Sequence, residues 1–354
     1  MYKIILFIIS LSSSYAQINP LNIEIVRDYY GVPHIYGKTD ADTAYGLAWA
    51  HSEDDFMTIQ KAYLAGNGML SKYLRNDGII VDFLTEFIES KKTVDKLFNT
   101  LSVDFVNILE GYSQGINRYA KLNPEKILVK ELFPITPRKM LHYSFLQLFI
   151  SNGADKLVSK IISNNTLDLS NLGINEDIQG SNTFAFNNNK TKNHETYLAI
   201  NTHQPLDGPN SWYEVHLNSE EGTNILGATF AGAPCVLTGV NENLAWTHTV
   251  NYPDKADLFK LKMHDSKKNI YLVDGKEHPL EVYKAKLKYR ILGINININK
   301  KYYKSIFGPT LKNKSGYYSV RTPSLYNIKA LEQWWRMNKA KSFDEFYSVL
   351  NMKS

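Results

Sequence analysis

The sequence predicts an α+β fold, with a helical first third and a strand-rich remainder. Three observations lead there. Apolar residues recur at helical spacing over 40–64, 103–119 and 137–149. The stretch 159–180 loses that period and fills with Asn, Ser and Asp. From Ser181 onward, short apolar runs are separated by Asn- and Gly-bearing turns, the pattern of an antiparallel sheet. With 354 residues, 44% apolar and 12% aromatic, the chain has the material for a packed core.

Taken in order, Met1-Tyr2-Lys3, the apolar run 4–9 and Ser14-Tyr15-Ala16 form the basic start, apolar centre and small-x-small end of a secretory signal. Cleavage is expected after Ala16, with a periplasmic or secreted location. The run is too short for a membrane span, no later segment reaches about 18 apolar residues, and no cysteine stands at the cleavage region to take a lipid. Residues 17–158 form the helical region, which opens with short strands at 23–26 and 34–36. Thr39 or Asp40 caps the 40–64 helix and Gly66 ends it; Thr136 caps the 137–149 helix with Pro137 at its first position. After the 159–180 spacer, strands are expected at 183–186, 196–201, 212–217, 224–230 and 244–250, then at 258–263, 270–273, 280–289 and 317–320. Ser342 and Glu345 make a capping box for a last helix running to about 352. A helix stopping so near Ser354 reads as a chain truncated at its C-terminus.

Forty basic and 35 acidic residues leave a net charge of +5, well mixed. The Lys-rich stretch 284–304 alternates with apolar residues and reads as solvated strand faces rather than a nucleic-acid patch. Cys235 is the only cysteine, which excludes an intramolecular disulfide; between Pro234 and Val236 it reads as a buried small apolar residue. No HExxH, CxxC pair or phosphate-binding glycine loop is present.

Gly180-Ser181-Asn182 carries the most chemistry. By itself the trio marks a turn. If the chain is cut before Ser181, however, that residue becomes an N-terminus holding both a hydroxyl nucleophile and an α-amine whose pKa is roughly 7.7–8.0, able to take the hydroxyl's proton. Other motifs stand in order around it: Arg27-Asp28-Tyr29-Tyr30-Gly31-Val32-Pro33-His34, Gly46-Leu47-Ala48-Trp49-Ala50-His51, Asn201-Thr202-His203-Gln204-Pro205, Ser211-Trp212-Tyr213-Glu214-Val215-His216 and Asn243-Leu244-Ala245-Trp246-Thr247-His248-Thr249. Together they resemble the penicillin acylase family, and within it the aculeacin and acyl-homoserine-lactone acylase branch, from about Asn22 to about Phe346.

The resemblance implies the four-layer αββα sandwich of N-terminal-nucleophile hydrolases, incomplete in this chain. It implies self-cleavage at Gly180–Ser181, with residues 181–354 as the first part of the nucleophile chain and the two cut chains staying associated. The activity implied is hydrolysis of a linear amide in an N-acylated small molecule of penicillin, homoserine-lactone or lipopeptide type, through an acyl-enzyme on Ser181. His203 falls near the nucleophile and would orient it; as a lone histidine after a strand it also reads as a structural side chain. The backbone N–H of Val250, or of Thr249 beside it, maps onto one oxyanion donor. The second, a downstream Asn with its accompanying Arg, has no counterpart in residues 181–354. Asp254 and Asp257 resemble carboxylates that hold a structural calcium, and equally read as a solvated turn; no cofactor is required. Trp212, Tyr213, Trp246, Trp334 and Trp335 read as packing residues, some of them lining an acyl pocket. A rival reading is a non-catalytic remnant, or one half of a split acylase completed by a separately encoded C-terminal half. A Ser-His-Asp hydrolase is disfavoured because no Gly-x-Ser-x-Gly elbow surrounds Ser181.

Overall fold

A computed structural model describes residues 17–163, 180–251, 253–291 and 294–354. The expected signal at 1–16 and residues 164–179 of the expected spacer lie outside those residues. After strands β1 (Ile23–Arg27) and β2 (Pro33–Gly37) come seven helices: α1 (Asp40–Gly66), α2 (Leu70–Leu74), α3 (Ile79–Phe87), α4 (Ser90–Leu97), α5 (Val103–Leu122), α6 (Pro137–Ser151) and α7 (Ala154–Ser163). The last overruns the expected start of the spacer, because Leu157, Val158 and Ile161 bury one helical face.

Helix α1 is the axis of the molecule. Thr39 caps it in a capping box with Asp42, whose side chain returns to the Thr39 N–H. Leu47, Ala48, Ile59, Ala62 and Tyr63 have no exposed surface, so α1 is buried nearly all round. It bends at Asp55, whose φ of −150° and ψ of 64° leave the helical region. Helix α5 lies against it at a distance set by glycine: a Cβ on Gly111 would fall 2.2 Å from the Ala41 carbonyl oxygen, and one on Gly115 2.5 Å from that of Tyr45.

A six-stranded sheet packs on α1 in the order β1-β2-β5-β6-β7-β8, using β5 (Tyr213–Ser219), β6 (Asn224–Thr229), β7 (Thr238–Asn241) and β8 (Ala245–Trp246). β5 to β8 pair antiparallel as expected, while on its other edge β5 pairs in parallel with β2 of the first third, His34 opposite His216. The 244–250 strand is shorter than expected: Ala245 and Trp246 pair with β7, and 247–250 leaves the ladder. A seven-stranded antiparallel sheet, β11-β10-β9-β15-β14-β13-β12, forms the β-rich extension. Its strands are β9 (Asp257–Met263), β10 (Ile270–Val273), β11 (Lys276–Pro279), β12 (Glu281–Ile291), β13 (Ile294–Ser305), β14 (Gly308–Asn313) and β15 (Gly316–Arg321). Helices α8 (Ala330–Lys339) and α9 (Phe343–Leu350) follow.

Strands β3 (Ser181–Phe186) and β4 (Tyr197–Thr202) join neither sheet; they form a two-stranded antiparallel hairpin. Phe184 is 58% exposed and Tyr197 50%, although isolated two-stranded hairpins are marginal in water.

Two outcomes follow from this packing. Gly111→Ala should destabilise the fold by about 1–3 kcal/mol, the usual cost of overpacking, read as a lowered denaturation midpoint against an exposed control such as Lys121→Ala. Stability should also fall with acid. Burial pushes His51 and His142 down to about 4, below the roughly 6.5 of an unfolded histidine. The unfolded chain therefore binds more protons between those values. The stabilisation is complete above about pH 6.5 and is lost as pH falls towards about 4. His51→Phe, keeping the ring stacked on Tyr213 at 3.9 Å, should shallow that slope in a thermal-shift series; an unchanged slope would contradict the assignment.

Candidate active site

Ser181 opens β3, paired across the hairpin with Thr202. Its hydroxyl donates to the carbonyl oxygen of Gly180 at 2.7 Å. That oxygen also accepts the backbone N–H of His203 at 3.2 Å, because β4 ends at Thr202 and the next amide points back across the ladder. The carbonyl before Ser181 is thus held by a hydroxyl on one side and an amide on the other. The His203 ring is close as well: its Nδ1 would lie 3.8 Å from a Cβ on Gly180, and its Nε2 lies 3.3 Å from Asn182 Nδ2. The ring is exposed and makes no hydrogen bond to the Ser181 hydroxyl among the described residues.

Ser181 borders a cavity of about 380 Å³ that Thr249 and Val250 also line. Three of the candidate residues, Ser181, Thr249 and Val250, thus line one cavity, and His203 stands in the chain between two further lining residues, Thr202 and Gln204. Residues from distant segments complete the lining: Met140 and Tyr143 of α6, Phe230, Leu237, and Leu331 and Trp334 of α8. Their apolar surfaces suit a hydrocarbon group, while Gln147, Asn251 and Lys255 supply polar atoms. A larger cavity, about 710 Å³, lies between α1 and α5 near Asp40, Asp104 and Glu110, and has no serine or cysteine among its lining residues.

His248 was not singled out by the sequence beyond its motif. The Trp334 indole N–H donates to its Nε2 at 2.9 Å. Burial moves its pKa below the ordinary histidine value, against the opposing hydrogen bond to the Leu237 backbone, which favours the neutral ring. Two of the five expected packing aromatics, Trp212 and Trp334, line the cavity. Trp246 is buried against Phe346, Trp335 packs on Phe105, and Tyr213 stacks on His51 while donating to Asp54 at 2.6 Å.

Asp254 and Asp257 are exposed, and no group of three or more His, Cys, Asp or Glu able to hold a metal occurs among the described residues. Two such carboxylates fall short of the roughly six to eight oxygens calcium takes. The calcium expectation gains no support from this donor set.

The penicillin amidase family model matches residues 22–353, nearly the whole chain, so the chain belongs to the penicillin amidase family. Among curated relatives, the acyl-homoserine lactone acylase PvdQ of Pseudomonas fluorescens is 24% identical over 90% of this chain and 45% of its own length. The same-named protein of Pseudomonas putida is 25% identical over 88% and 45%. The acyl-homoserine lactone acylase QuiP of Pseudomonas fluorescens is 23% identical over 92% and 46%. The chain thus spans a little under half the length of these relatives. Among solved structures, a thermostable penicillin G acylase from Alcaligenes faecalis overlaps 39% of this chain and 25% of its own at 22% identity and a TM-score of 0.34.

Cys235 sits near the cavity, 1% exposed, with its thiol 3.7 Å from the Leu331 carbonyl oxygen. Burial raises its pKa, so a thiol reagent at neutral pH should label the unfolded chain once and the native chain not at all. Rapid native labelling, read by intact mass, would contradict the packing at this wall.

Proposed function

We propose that this chain carries the nucleophile of an acylase that hydrolyses a linear amide in an N-acylated small molecule. The observation that supports this most is the Ser181 hydroxyl at the Gly180 carbonyl, beside an apolar cavity, in a chain of the penicillin amidase family.

The first step is processing. The Ser181 hydroxyl oxygen attacks the Gly180 carbonyl carbon, and the His203 N–H stabilises charge on the oxygen it already touches. The C–N bond to Ser181 breaks as an ester forms, the hydroxyl proton passing to the departing nitrogen, and water hydrolyses the ester, leaving Gly180 as a carboxylate and Ser181 with a free hydroxyl and amine. Turnover repeats the attack on substrate. The amine takes the hydroxyl proton, the oxygen adds to the substrate carbonyl, and the N–H of Val250, or Thr249, donates to the resulting oxyanion. Collapse releases the amine product, and water then releases the carboxylic acid. The apolar lining favours an apolar acyl group. The names of the relatives make N-acyl homoserine lactones one such substrate class, alongside penicillins and lipopeptides. His203 acts by orienting the serine or its amine, and no step uses a metal. The motif at 1–16 supports export to the periplasm or beyond.

The bare β3–β4 hairpin favours a second element of this reading. Its exposed Phe184, Phe186 and Tyr197, and the relatives' greater length, support further strands pairing with it to complete a four-layer αββα sandwich. Those strands would also bring the second oxyanion donor, from a longer form of the chain or a separately encoded half.

N-terminal sequencing of the processed protein should read Ser181-Asn182-Thr183. Ser181→Ala should abolish both cutting and turnover, while Ser181→Cys should still cut, since a thiol performs the same first attack. An active protein with an intact Gly180–Ser181 bond would overturn the mechanism. Residues 17–354 alone should be essentially inactive on N-acyl substrates and gain Ser181-dependent activity on mixing with the missing strands; full activity of the isolated piece would remove the need for them.

A further inference from the structure

The β12–β13 hairpin carries an unusual concentration of charge. Residues 281–304 hold seven basic side chains and one acidic, more positive charge than the net +5 of the whole chain. β12 is an edge strand, and Lys284, Lys286 and Lys288 alternate along one face of it, all exposed. Lys284 stands directly opposite Lys301 in the ladder, a like-charge pairing that destabilises a sheet unless an anion is present. None of Lys284, Lys286, Lys300 and Lys301 makes a salt bridge among the described residues. Lys288 reaches a cavity of about 460 Å³ also lined by Lys72, Arg75 and Lys130, where Glu131 is the one acid.

Lysines on an edge strand can be read as a guard against edge-to-edge aggregation. That accounts for neither the basic cavity nor the apolar residues on the same hairpin. Its other face begins as core, with Ala285 and Leu287 buried and Tyr302 packed against Phe83 and Phe87 of α3. Towards the tip it runs out of partners: Ile294 is 68% exposed, and Ile296 and Ile298 are each 42% exposed. Ile296 and Ile298 pair with Tyr289 and Leu287, so they lie level with Lys288 at one end of the hairpin but on its opposite face. With isoleucines exposed on one face of this end and unneutralised lysines on the other, the hairpin matches, when entered edge-on, a surface that is anionic at its face and apolar just beneath it.

The geometry points to the β12–β13 hairpin as a docking surface for an anionic lipid bilayer, the lysines meeting headgroup phosphates and the isoleucines entering the interface. A soluble polyanion such as nucleic acid would use the lysines and leave the isoleucines idle. The inference is independent of the acylase reading and would bring the chain to a surface where amphiphilic N-acyl compounds collect.

The test is co-sedimentation of the protein with vesicles of phosphatidylcholine, with and without phosphatidylglycerol. Binding should require phosphatidylglycerol and weaken as salt rises. Each lysine near an anionic surface contributes about fivefold, so Lys284→Glu, Lys286→Glu and Lys288→Glu together should weaken binding by about a hundredfold or more. Ile296→Ser with Ile298→Ser should weaken it while leaving duplex-DNA binding unchanged. Circular dichroism and the melting midpoint establish that each exposed variant is folded, and single substitutions replace the multiple ones if it is not. Equal binding to both vesicle types, unchanged binding of the lysine variants, or indifference to the isoleucine pair would overturn the proposal, the last in favour of a soluble polyanion.

Discussion

One buried carboxylate joins the parts of this molecule that most need joining. Asp40, at the first turn of α1, accepts the hydroxyls of Ser219 at 2.5 Å and Thr223 at 2.7 Å and the ammonium of Lys339. Its own N–H donates to Glu221 at 2.8 Å. The helical third, the β5–β6 turn and the end of α8 therefore meet on a single residue that is 4% exposed. Hydrogen bonds to a charged group are worth about 1.5–3 kcal/mol each, and a buried charge stripped of its partner costs about 3–5 kcal/mol. Because α8 supplies Leu331 and Trp334 to the cavity, the anchor also fixes one wall of the candidate site.

Other ties bridge the same division. The Tyr63 hydroxyl donates to the Gly232 carbonyl at 2.8 Å, and β2 pairs with β5 in parallel. Arg27 reaches Asp54 at 2.9 Å, and Asp54 in turn accepts the Tyr213 hydroxyl. A cut at Gly180–Ser181 would cross none of these contacts, so the two pieces would remain one folded body. The exception is the β3–β4 hairpin itself, which holds Ser181 yet has no third strand among the described residues.

What the sequence revealed were features encoded locally. The caps at Thr39 and Thr136, the proline at Pro137 and the helix end at Gly66 depend on neighbouring residues, and the structure has them there. Residues 247–250 look like a strand because extended backbone and strand share a composition, but no partner strand reaches them. The parallel β2–β5 pairing joins residues 182 positions apart, His34 and His216, and leaves no local mark. The site divides in the same way. Ser181, Thr249 and Val250 could be found from motifs. Met140, Tyr143 and Phe230 are ordinary core residues until the fold turns them towards one cavity.

The position of Ser181 at a strand's first residue makes a remote turn an alignment gauge. In the two-stranded ladder of the described residues, the register of Ser181 on Thr202 is set by the connection, here 187–196. That loop is stapled by its own bonds, Asn189 N–H to Asn187 Oδ1 at 3.2 Å and the Thr191 hydroxyl to the Glu195 carbonyl at 2.7 Å. A slip of one residue would turn the serine hydroxyl to the opposite face and separate the Gly180 carbonyl from the His203 amide. Surface loops ordinarily tolerate changes in length; this one is a ruler, and its residue count sets where Ser181 and the Gly180 carbonyl stand at the far end of the hairpin.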